Sequence, residues 1–320
     1  MMTAFPAWQN HRFIDSFGGE ITPFTFKGRR YLLKNICYHW AGGVQRLDRL
    51  HEDYCLIRDV ERDTVISHPL LNHYFATLTV YNDTAYIFAS DYGWEKPGER
   101  IDPATWNYTA DWFRRKIDVI CSRDLISWTP AQPAVWADPG ERVYNNGVTR
   151  AADGKFYMVF ENNDKRYPVF TCKFAVSEDL IHWTKIPGAI YGTDKYTGGP
   201  ALYFEAPWFY LTYVNAVPDK ERKPYGCYYD TRIARSRDLI HWEDAPADRP
   251  VLVPDFTHEV DPENHPGVME INASDAEFEV LPGKVAVYWI GGDQHGVHDC
   301  QYAEIPGTRK ELFESFFKEK

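Results

Sequence analysis

The sequence predicts an all-β fold, a five-bladed β-propeller of four-stranded antiparallel blades followed by a short C-terminal helix. A Ser-x-Asp-Leu-Ile-x-Trp segment recurs at 122–128, 177–183 and 236–242, with spacings of about 55 and 59 residues. A strand-like run precedes each copy, and a hairpin signal lies upstream of each run. A unit of about 60 residues in a chain of 320 residues corresponds to five blades.

The repeated segment predicts the same local structure in each copy. Its Ser and Asp side chains can bond to nearby backbone N–H groups in a turn, and its Trp can open the next strand. A weaker fourth copy is IRDVERDTVIS at 57–67. A β-sandwich is the alternative fold, but it does not explain so regular a repeat.

Five hairpins supply the inner strands of the blades. They are FTFKGRRYLL, LTVYNDTAYIFAS, GVTRAADGKFYMVFE, ALYFEAPWFYLTYV and FEVLPGKVAVYWI. Four carry residues that favour tight turns, namely Gly28, Asn82-Asp83, Asp153-Gly154 and Pro282-Gly283. We therefore expect one domain over 1–320, with blades at about 17–70, 71–137, 138–190, 191–252 and 253–310, and a helix over 308–320.

The composition narrows the kind of partner. Hydrophobic residues make up 44% and aromatic residues 16%, enough for a large core and an aromatic binding surface. A net charge of −11 without a basic run makes nucleic acids and anionic membranes poor partners. The sequence shows no signal peptide and no long apolar span, so a soluble, cytoplasmic protein with a neutral ligand is expected.

Cofactor motifs are absent from the sequence. Six scattered cysteines without a CxxC pair indicate reduced thiols, and no P-loop or GxGxxG segment occurs. The pairs His258/His265 and His295/His298 lie in loops, where their spacing defines no common face. We expect neither a cofactor nor a metal ion, with a structural divalent cation in the channel as the alternative.

Strand direction identifies the functional rim. In a four-stranded blade, the connections from the second to the third strand and from one blade to the next share one face. These connections are the long ones here, at about 37–51, 91–115, 189–199, 215–227 and 250–271. Long loops on one rim of a rigid scaffold are where function usually lies.

Carboxylates on that rim point to glycosidic bond cleavage, in which one acid protonates the leaving oxygen and a second carboxylate activates water or attacks carbon. The candidates are Glu20, Asp91, Glu161, Asp230, Asp275, Asp293 and Asp299. Glu161 ends the apolar strand YMVFE, and Asp275 opens the inner strand of blade five, with Glu277 on the same face. We expect Asp275 and Glu161 to be the catalytic pair, with Glu20 and Asp91 as alternates.

Polar and aromatic groups on the same rim are candidates for binding a sugar. The polar candidates are His39, His73, Asn145, Asn146, Asp230, Arg232 and His295, with Asn215 and Gln294 as companions. The aromatic candidates are Trp94, Trp106, Tyr108 and Trp112 in one connection and Tyr38 and Trp40 in another. A structural role is the alternative for each of them alone.

The Ser-x-Asp-Leu-x-x-Trp repeats resemble those of the five-bladed propeller glycosidases of families 43 and 32, over about residues 17–305. The resemblance implies carbohydrate handling and an inverting reaction. In those families three acids open the inner strands of blades one to three. Here blade one offers Glu20, while blade two opens with His73-Tyr74-Phe75 and blade three with Asn145-Asn146-Gly147.

A closer resemblance is to bacterial propeller proteins with an N-x-V…E segment in blade three and an INNSD-like segment in blade five. The matching residues are Asn146-Gly147-Val148 through Glu161, and Ile271-Asn272-Ala273-Ser274-Asp275. The leading hypothesis is an exo-acting glycoside hydrolase. The alternatives are a phosphorylase, with Arg232, Arg235 and His295 as phosphate ligands, and a non-catalytic carbohydrate-binding propeller.

Overall fold

The computed structural model describes residues 6–15, 19–36, 54–91, 115–168, 170–222, 226–294 and 296–318. In these ranges the strands form five antiparallel blades, and the predicted five-bladed propeller is confirmed. Blades four and five are joined by one parallel bridge between Tyr229 and Asn272. Within the described ranges, no helix has the length and apolar character needed to cross a membrane.

The strands follow one another blade by blade, after an N-terminal strand β1 (Gln9–Asp15). Blade one contains β2 (Ile21–Phe26), β3 (Arg29–Ile36), β4 (Tyr54–Asp59) and β5 (Thr64–Leu71). Blade two contains β6 (His73–Tyr81), β7 (Thr84–Asp91), β8 (Lys116–Ser122) and β9 (Gln132–Trp136). Blade three contains β10 (Val143–Arg150), β11 (Phe156–Asn162), β12 (Thr171–Ser177) and β13 (Trp183–Tyr191). Blade four contains β14 (Gly198–Glu205), β15 (Trp208–Pro218), β16 (Cys227–Ser236) and β17 (Trp242–Asp244), and blade five contains β18 (Asn272–Leu281), β19 (Lys284–Gly292) and β20 (His298–Pro306).

Strand β1 completes blade five as its outer strand. It pairs antiparallel with β20, and Arg12 lies opposite Tyr302. The predicted blade bounds begin at residue 17 and leave this strand out, because its partner is at the far end of the chain. The two ends of the chain thus share one sheet, which closes the ring of blades.

The repeated segment forms the turn expected from its side chains. In the copy at 177–183, the Ser177 hydroxyl accepts the Leu180 N–H at 2.9 Å, and the Trp183 indole donates to the Leu180 carbonyl at 3.1 Å. One Asp179 oxygen accepts two further backbone N–H groups. These bonds hold the buried Leu180 in the left-handed region, at φ +68°, and the other two copies have the same geometry.

Three elements differ from their predicted bounds. Strands β13 and β15 continue to Tyr191 and Pro218, so the connections predicted at 189–199 and 215–227 are shorter than expected. The C-terminal helix α1 spans only Arg309–Ser315, after a capping box between Thr308 and Glu311. It ends early because Phe316 turns inward and is fully buried.

The apolar core lies between neighbouring blades. Phe88 and Val119 of blade two, for example, pack in one cluster with Met158 and Phe160 of blade three. The five described cysteines, from Cys55 to Cys300, are free thiols, as expected; Cys37 lies outside the described residues. Face-to-face packing of blades leaves the starts of the inner strands around a common axis.

Candidate active site

The inner strands of all five blades line a small cavity at the mouth of the channel, which is open to solvent. Its polar lining includes three carboxylates, of Glu20, Asp275 and Glu277, and two amides, of Asn145 and Asn146. Among the described residues, no lysine, arginine or histidine lines this cavity. The cavity is therefore an acidic pocket on the rim that the sequence predicts.

β-Bulges occur at the start of four inner strands. The register shifts between Tyr74 and Thr77 in β6, between Val143 and Asn146 in β10, between Gly198 and Ala201 in β14, and between Ser274 and Glu277 in β18. The bulges place Phe75, Gly199 and Asp275 in the left-handed region, at φ +56°, +49° and +53°. Bulges re-aim side chains next to active sites, and here one turns Asp275 to the cavity.

A directed chain of hydrogen bonds ends on Asp275. Gln294 Nε2 donates to Asn272 Oδ1 at 2.8 Å, and Asn272 Nδ2 donates to Ser274 Oγ at 2.8 Å. The Ser274 hydroxyl, which accepts from Asn272, donates to Asp275 Oδ2. Burial raises the pKa of Asp275 to about 6, against the lowering effect of this hydroxyl. The Asn and Ser of the segment at 271–275 thus orient its carboxylate.

Glu277 lies two residues further along the same strand. Tyr203 donates its hydroxyl to Glu277 Oε2 at 2.6 Å and accepts the Phe278 N–H at 3.1 Å. Burial raises the pKa of Glu277 to about 7; the charge of Asp275 adds to this effect, and the Tyr203 hydroxyl opposes it. The cavity therefore holds two carboxyl groups whose pKa values burial raises toward neutral pH.

Glu161, the other predicted catalytic acid, lies beside Asp275 but does not line the cavity. Its side chain is 2% exposed, and Glu161 Oε2 accepts the Gly199 N–H at 2.7 Å and Asn145 Nδ2 at 3.4 Å. A Cβ on Gly199 would lie 2.3 Å from Asp275 Oδ1. The two carboxylate oxygens are consequently within about 7.5 Å of each other, given the N–Cβ distance of a residue.

Two buried asparagines fasten neighbouring inner strands. Asn35 donates to the carbonyls of Glu20 and Ala76 at 3.1 and 3.0 Å, which fixes the backbone under Glu20. Asn146 donates to the Phe75 carbonyl at 2.9 Å and accepts from the Thr77 hydroxyl at 2.7 Å. Sequence reasoning assigned Asn146 to sugar binding and missed Asn35. No local pattern marks these contacts, because they join residues of different blades.

A row of aromatic rings follows the same rim. It runs through Phe75, Tyr144, Phe170, Tyr196 and Tyr229, with successive ring centroids 6.0, 4.9, 5.6 and 5.9 Å apart. Burial raises the pKa of Tyr196, and the charges of Glu161 and Asp275 raise it further, which places its hydroxyl near both acids. The sequence analysis missed this row, since its rings come from separate strands and loops.

The other predicted residues lie away from the cavity or outside the described residues. Asp91 pairs with Lys116 at 3.1 Å in a buried group with His73 and Asp118. Asp230 pairs with Arg232 and accepts from Asn215 at 3.1 Å. Asp293 accepts the Val297 N–H, and Asp299 bonds to His258. Outside the described residues lie His39, Trp94 and His295, together with Tyr38, Trp40, Trp106, Tyr108 and Trp112.

These features define the class of fold: the five-bladed propeller of glycoside hydrolase families 43 and 32. A structure described as a glycoside hydrolase covers 94% of this chain and 91% of its own, with TM-score 0.60 and 13% identity. A family-43 endo-arabinanase of Bacillus licheniformis covers 92% and 96%, with TM-score 0.54 and 10% identity. A family-32 β-fructofuranosidase of Bombyx mori covers 90% of this chain and 61% of its own, with TM-score 0.59 and 9% identity.

The resemblance found in the sequence is confirmed by these comparisons, which establish the fold. No protein-family profile and no curated protein matches the sequence. Function must therefore be argued from the cavity and its side chains.

Proposed function

We propose that this protein is a glycoside hydrolase that removes a sugar unit from the end of an uncharged glycan. The observation that carries the proposal is the pair Asp275 and Glu277, two carboxyl groups in one cavity whose pKa values are about 6 and about 7. Two carboxyl groups held in different protonation states are what glycosidic hydrolysis requires. No cofactor takes part in the proposed reaction.

The surroundings of the two carboxyl groups favour one assignment of roles. Ser274 donates its hydroxyl to Asp275 and Tyr203 donates its hydroxyl to Glu277, so each group has one such donor. Burial and, in addition, the charge of Asp275 raise the pKa of Glu277, so we assign Asp275 as the base and Glu277 as the general acid. Glu277 protonates the glycosidic oxygen as the bond from the anomeric carbon to that oxygen breaks. Asp275 takes a proton from the water that bonds to the same carbon, with inversion as the family resemblance implies.

The cavity supports a small, neutral substrate unit. It is small and is bounded by the inner strands of all five blades, which favours exo action on a chain end. Its described lining carries three carboxylates and no cationic group, so a uronic acid or a sulfated sugar would be repelled.

A phosphorylase has less support, because Arg232 and Arg235, two of its three expected phosphate ligands, are engaged elsewhere; the third, His295, lies outside the described residues. Arg232 pairs with Asp230, and Arg235 pairs with Glu243 at 2.8 Å and Glu314 at 3.0 Å. A phosphorylase would need these cations at the cavity to bind a second anionic substrate.

A screen of aryl glycosides and of plant and algal oligosaccharides, read by chromatography with and without phosphate, tests the proposal. On the substrate found, Asp275→Asn and Glu277→Gln should each lower kcat at least a hundredfold. The control Asp153→Asn, in an exposed turn at the other end of β10, should match the wild type. NMR of the first product should show the inverted anomer.

Each other outcome has a definite meaning. Retained activity in Asp275→Asn would refute the assignment of the base. If Glu20→Gln or Glu161→Gln lost activity while Glu277→Gln kept it, the role of general acid would belong to Glu20 or Glu161 instead. Glycan binding without any product over days would favour a non-catalytic propeller, and phosphate-dependent release of a sugar phosphate would favour a phosphorylase.

A further inference from the structure

A group of metal-ligating side chains lies in blade five, outside the channel cavity. His258 and Glu270 come from the connection between β17 and β18, and Asp299 comes from β20. The nitrogen and oxygen atoms that these three side chains can offer lie within 4.8 Å of one another. His258 Nε2 and Asp299 Oδ2 are 2.7 Å apart.

The two carboxylates are deeply buried and close together. Glu270 is 1% exposed and Asp299 is 5% exposed. Within the described part of the chain, neither carboxylate contacts a lysine or an arginine. Among the described side chains that contact these carboxylates, only His258 can carry a positive charge. Two buried carboxyl groups so close together are stabilised by a compensating positive charge or by the uptake of a proton.

Blade two contains a similar group, also of one histidine and two carboxylates, in which a lysine supplies the positive charge. His73, Asp91 and Asp118 also lie within 4.8 Å of one another. Lys116 Nζ lies 3.1 Å from Asp91 and 3.0 Å from Asp118, so its ammonium group neutralises the pair. The contrast between the two groups is the main reason to expect an external cation in blade five.

The side chain of Gln301 fills the space above Gly291 of β19, between the two carboxylates. A Cβ on this glycine would lie 2.1 Å from Gln301 Nε2 and 2.8 Å from both Asp299 Oδ1 and Glu270 Oε2. Gln301 Nε2 bridges the same two oxygens at 2.9 and 2.6 Å, and Gln301 Oε1 faces His11 at 2.8 Å. Rotation of this amide by a half turn would present its oxygen to a cation and its NH₂ group to His11.

The surroundings orient the ligands and cover them. The Asp255 N–H donates to Glu270 Oε1 at 2.8 Å, which leaves Oε2 directed at Asp299 and Gln301. The Phe13 ring of β1 stacks on His258 with centroids 4.3 Å apart. Ligands held by such neighbouring contacts are typical of built metal sites.

We propose that His258, Glu270 and Asp299 bind one divalent transition-metal ion of the Zn²⁺ or Mn²⁺ type. The imidazole ligand disfavours Ca²⁺ and Mg²⁺, which prefer oxygen ligands alone. The ion fastens the 253–271 connection to blade five beside β1. The role is structural and independent of the proposed hydrolysis.

Calorimetric titration of the chelator-treated full chain with ZnCl₂, MnCl₂ and CaCl₂ tests this site. We expect one Zn²⁺ or Mn²⁺ per chain, weaker Ca²⁺ binding, and a rise in Tm on addition of the bound metal. Asp299→Asn and Glu270→Gln should each weaken binding at least tenfold. The control Asp118→Asn, in the blade-two group, should leave the affinity unchanged.

Two results would overturn the proposal: no one-to-one binding by the wild type, or equal affinity in Asp299→Asn and Asp118→Asn. If Asp299→Asn does not fold, pulsed EPR of Mn²⁺ bound to the wild type decides. A nitrogen coupling that is lost in His258→Gln supports the site, and a spectrum without nitrogen coupling refutes it.

Discussion

Replacement of Gly199 by alanine tests how closely β14 and Asp275 fit together. The added Cβ would lie 2.3 Å from Asp275 Oδ1 and 3.1 Å from Asp275 Cγ, closer than real Cβ contacts allow. Asp275 cannot move freely, because the Ser274 hydroxyl and its own left-handed backbone at φ +53° hold it. The substitution should therefore displace the Asp275 carboxylate without removing any carboxyl group from the site.

The expected cost has two parts. A left-handed alanine, at the φ of +49° that Gly199 adopts, costs about 1–2 kcal/mol relative to glycine. Loss of the hydrogen bond between Ser274 and the charged Asp275 adds about 1.5–3 kcal/mol. We expect a total destabilisation of about 2.5–5 kcal/mol. A displacement of the carboxylate by about 1 Å should lower kcat about a hundredfold.

Gly188→Ala is the matched control. Gly188 also has positive φ, at +76°, but nothing lies within 4 Å of its missing Cβ. It should lose about 1–2 kcal/mol in urea denaturation and keep its turnover on the substrate found by the glycan screen. If Gly199→Ala matches Gly188→Ala in both stability and kcat, the proposed contact with Asp275 is wrong.

Three further predictions concern pH and stability. The proposed reaction needs an ionised Asp275 and a protonated Glu277, so kcat/KM should peak between pH 6 and 7 and fall on both sides. In Ser274→Ala the acid limb of the profile should shift to higher pH. A flat pH profile would contradict the assignment of this pair. The folded pKa of Asp275 lies above its unfolded value of about 3.9, so the wild type should lose about 2 kcal/mol from pH 4 to pH 7 that Asp275→Asn does not lose. Equal pH dependence in urea denaturation would refute this. Ser177→Ala removes the acceptor of the buried Leu180 N–H and should lower the free energy of unfolding by about 1–3 kcal/mol. Glu178→Ala, an exposed change in the same turn, should lower it by less than about 0.5 kcal/mol.

The fold was predictable from the sequence because the turns between its strands are stabilised by residues that are close together in the sequence. Each Ser-x-Asp-Leu-Ile-x-Trp turn satisfies its own backbone within seven residues, as the bonds of Ser177 and Asp179 demonstrate. The hairpins likewise depend on adjacent residues, such as Asn82 and Asp83 at φ +48° and +55°. Such contacts leave a readable pattern because the residues that make them are neighbours in the sequence.

Features that join distant residues left no such pattern. β1 pairs with β20 across almost the whole chain, and so it escaped the predicted blade bounds. Asp275 and Glu161 could be selected from strand ends, and strand periodicity placed Glu277 on the face of Asp275, where both line the cavity. The contact of Glu161 with the Gly199 N–H depends on the bulge of β14, which no local pattern marks.

The bulges also explain how the proposed catalytic carboxylates reach the cavity although blades two and three lack the acids that the family resemblance implies. Four blades have an equivalent bulge at the start of the inner strand, with Phe75 in β6, Asn145 in β10, Gly199 in β14 and Asp275 in β18. Because the blades are related by rotation about the channel, these bulges lie around one axis, and the last three of these residues line the same cavity. The carboxylate occupies the blade-five position, and the glycine of blade four leaves the space beside it.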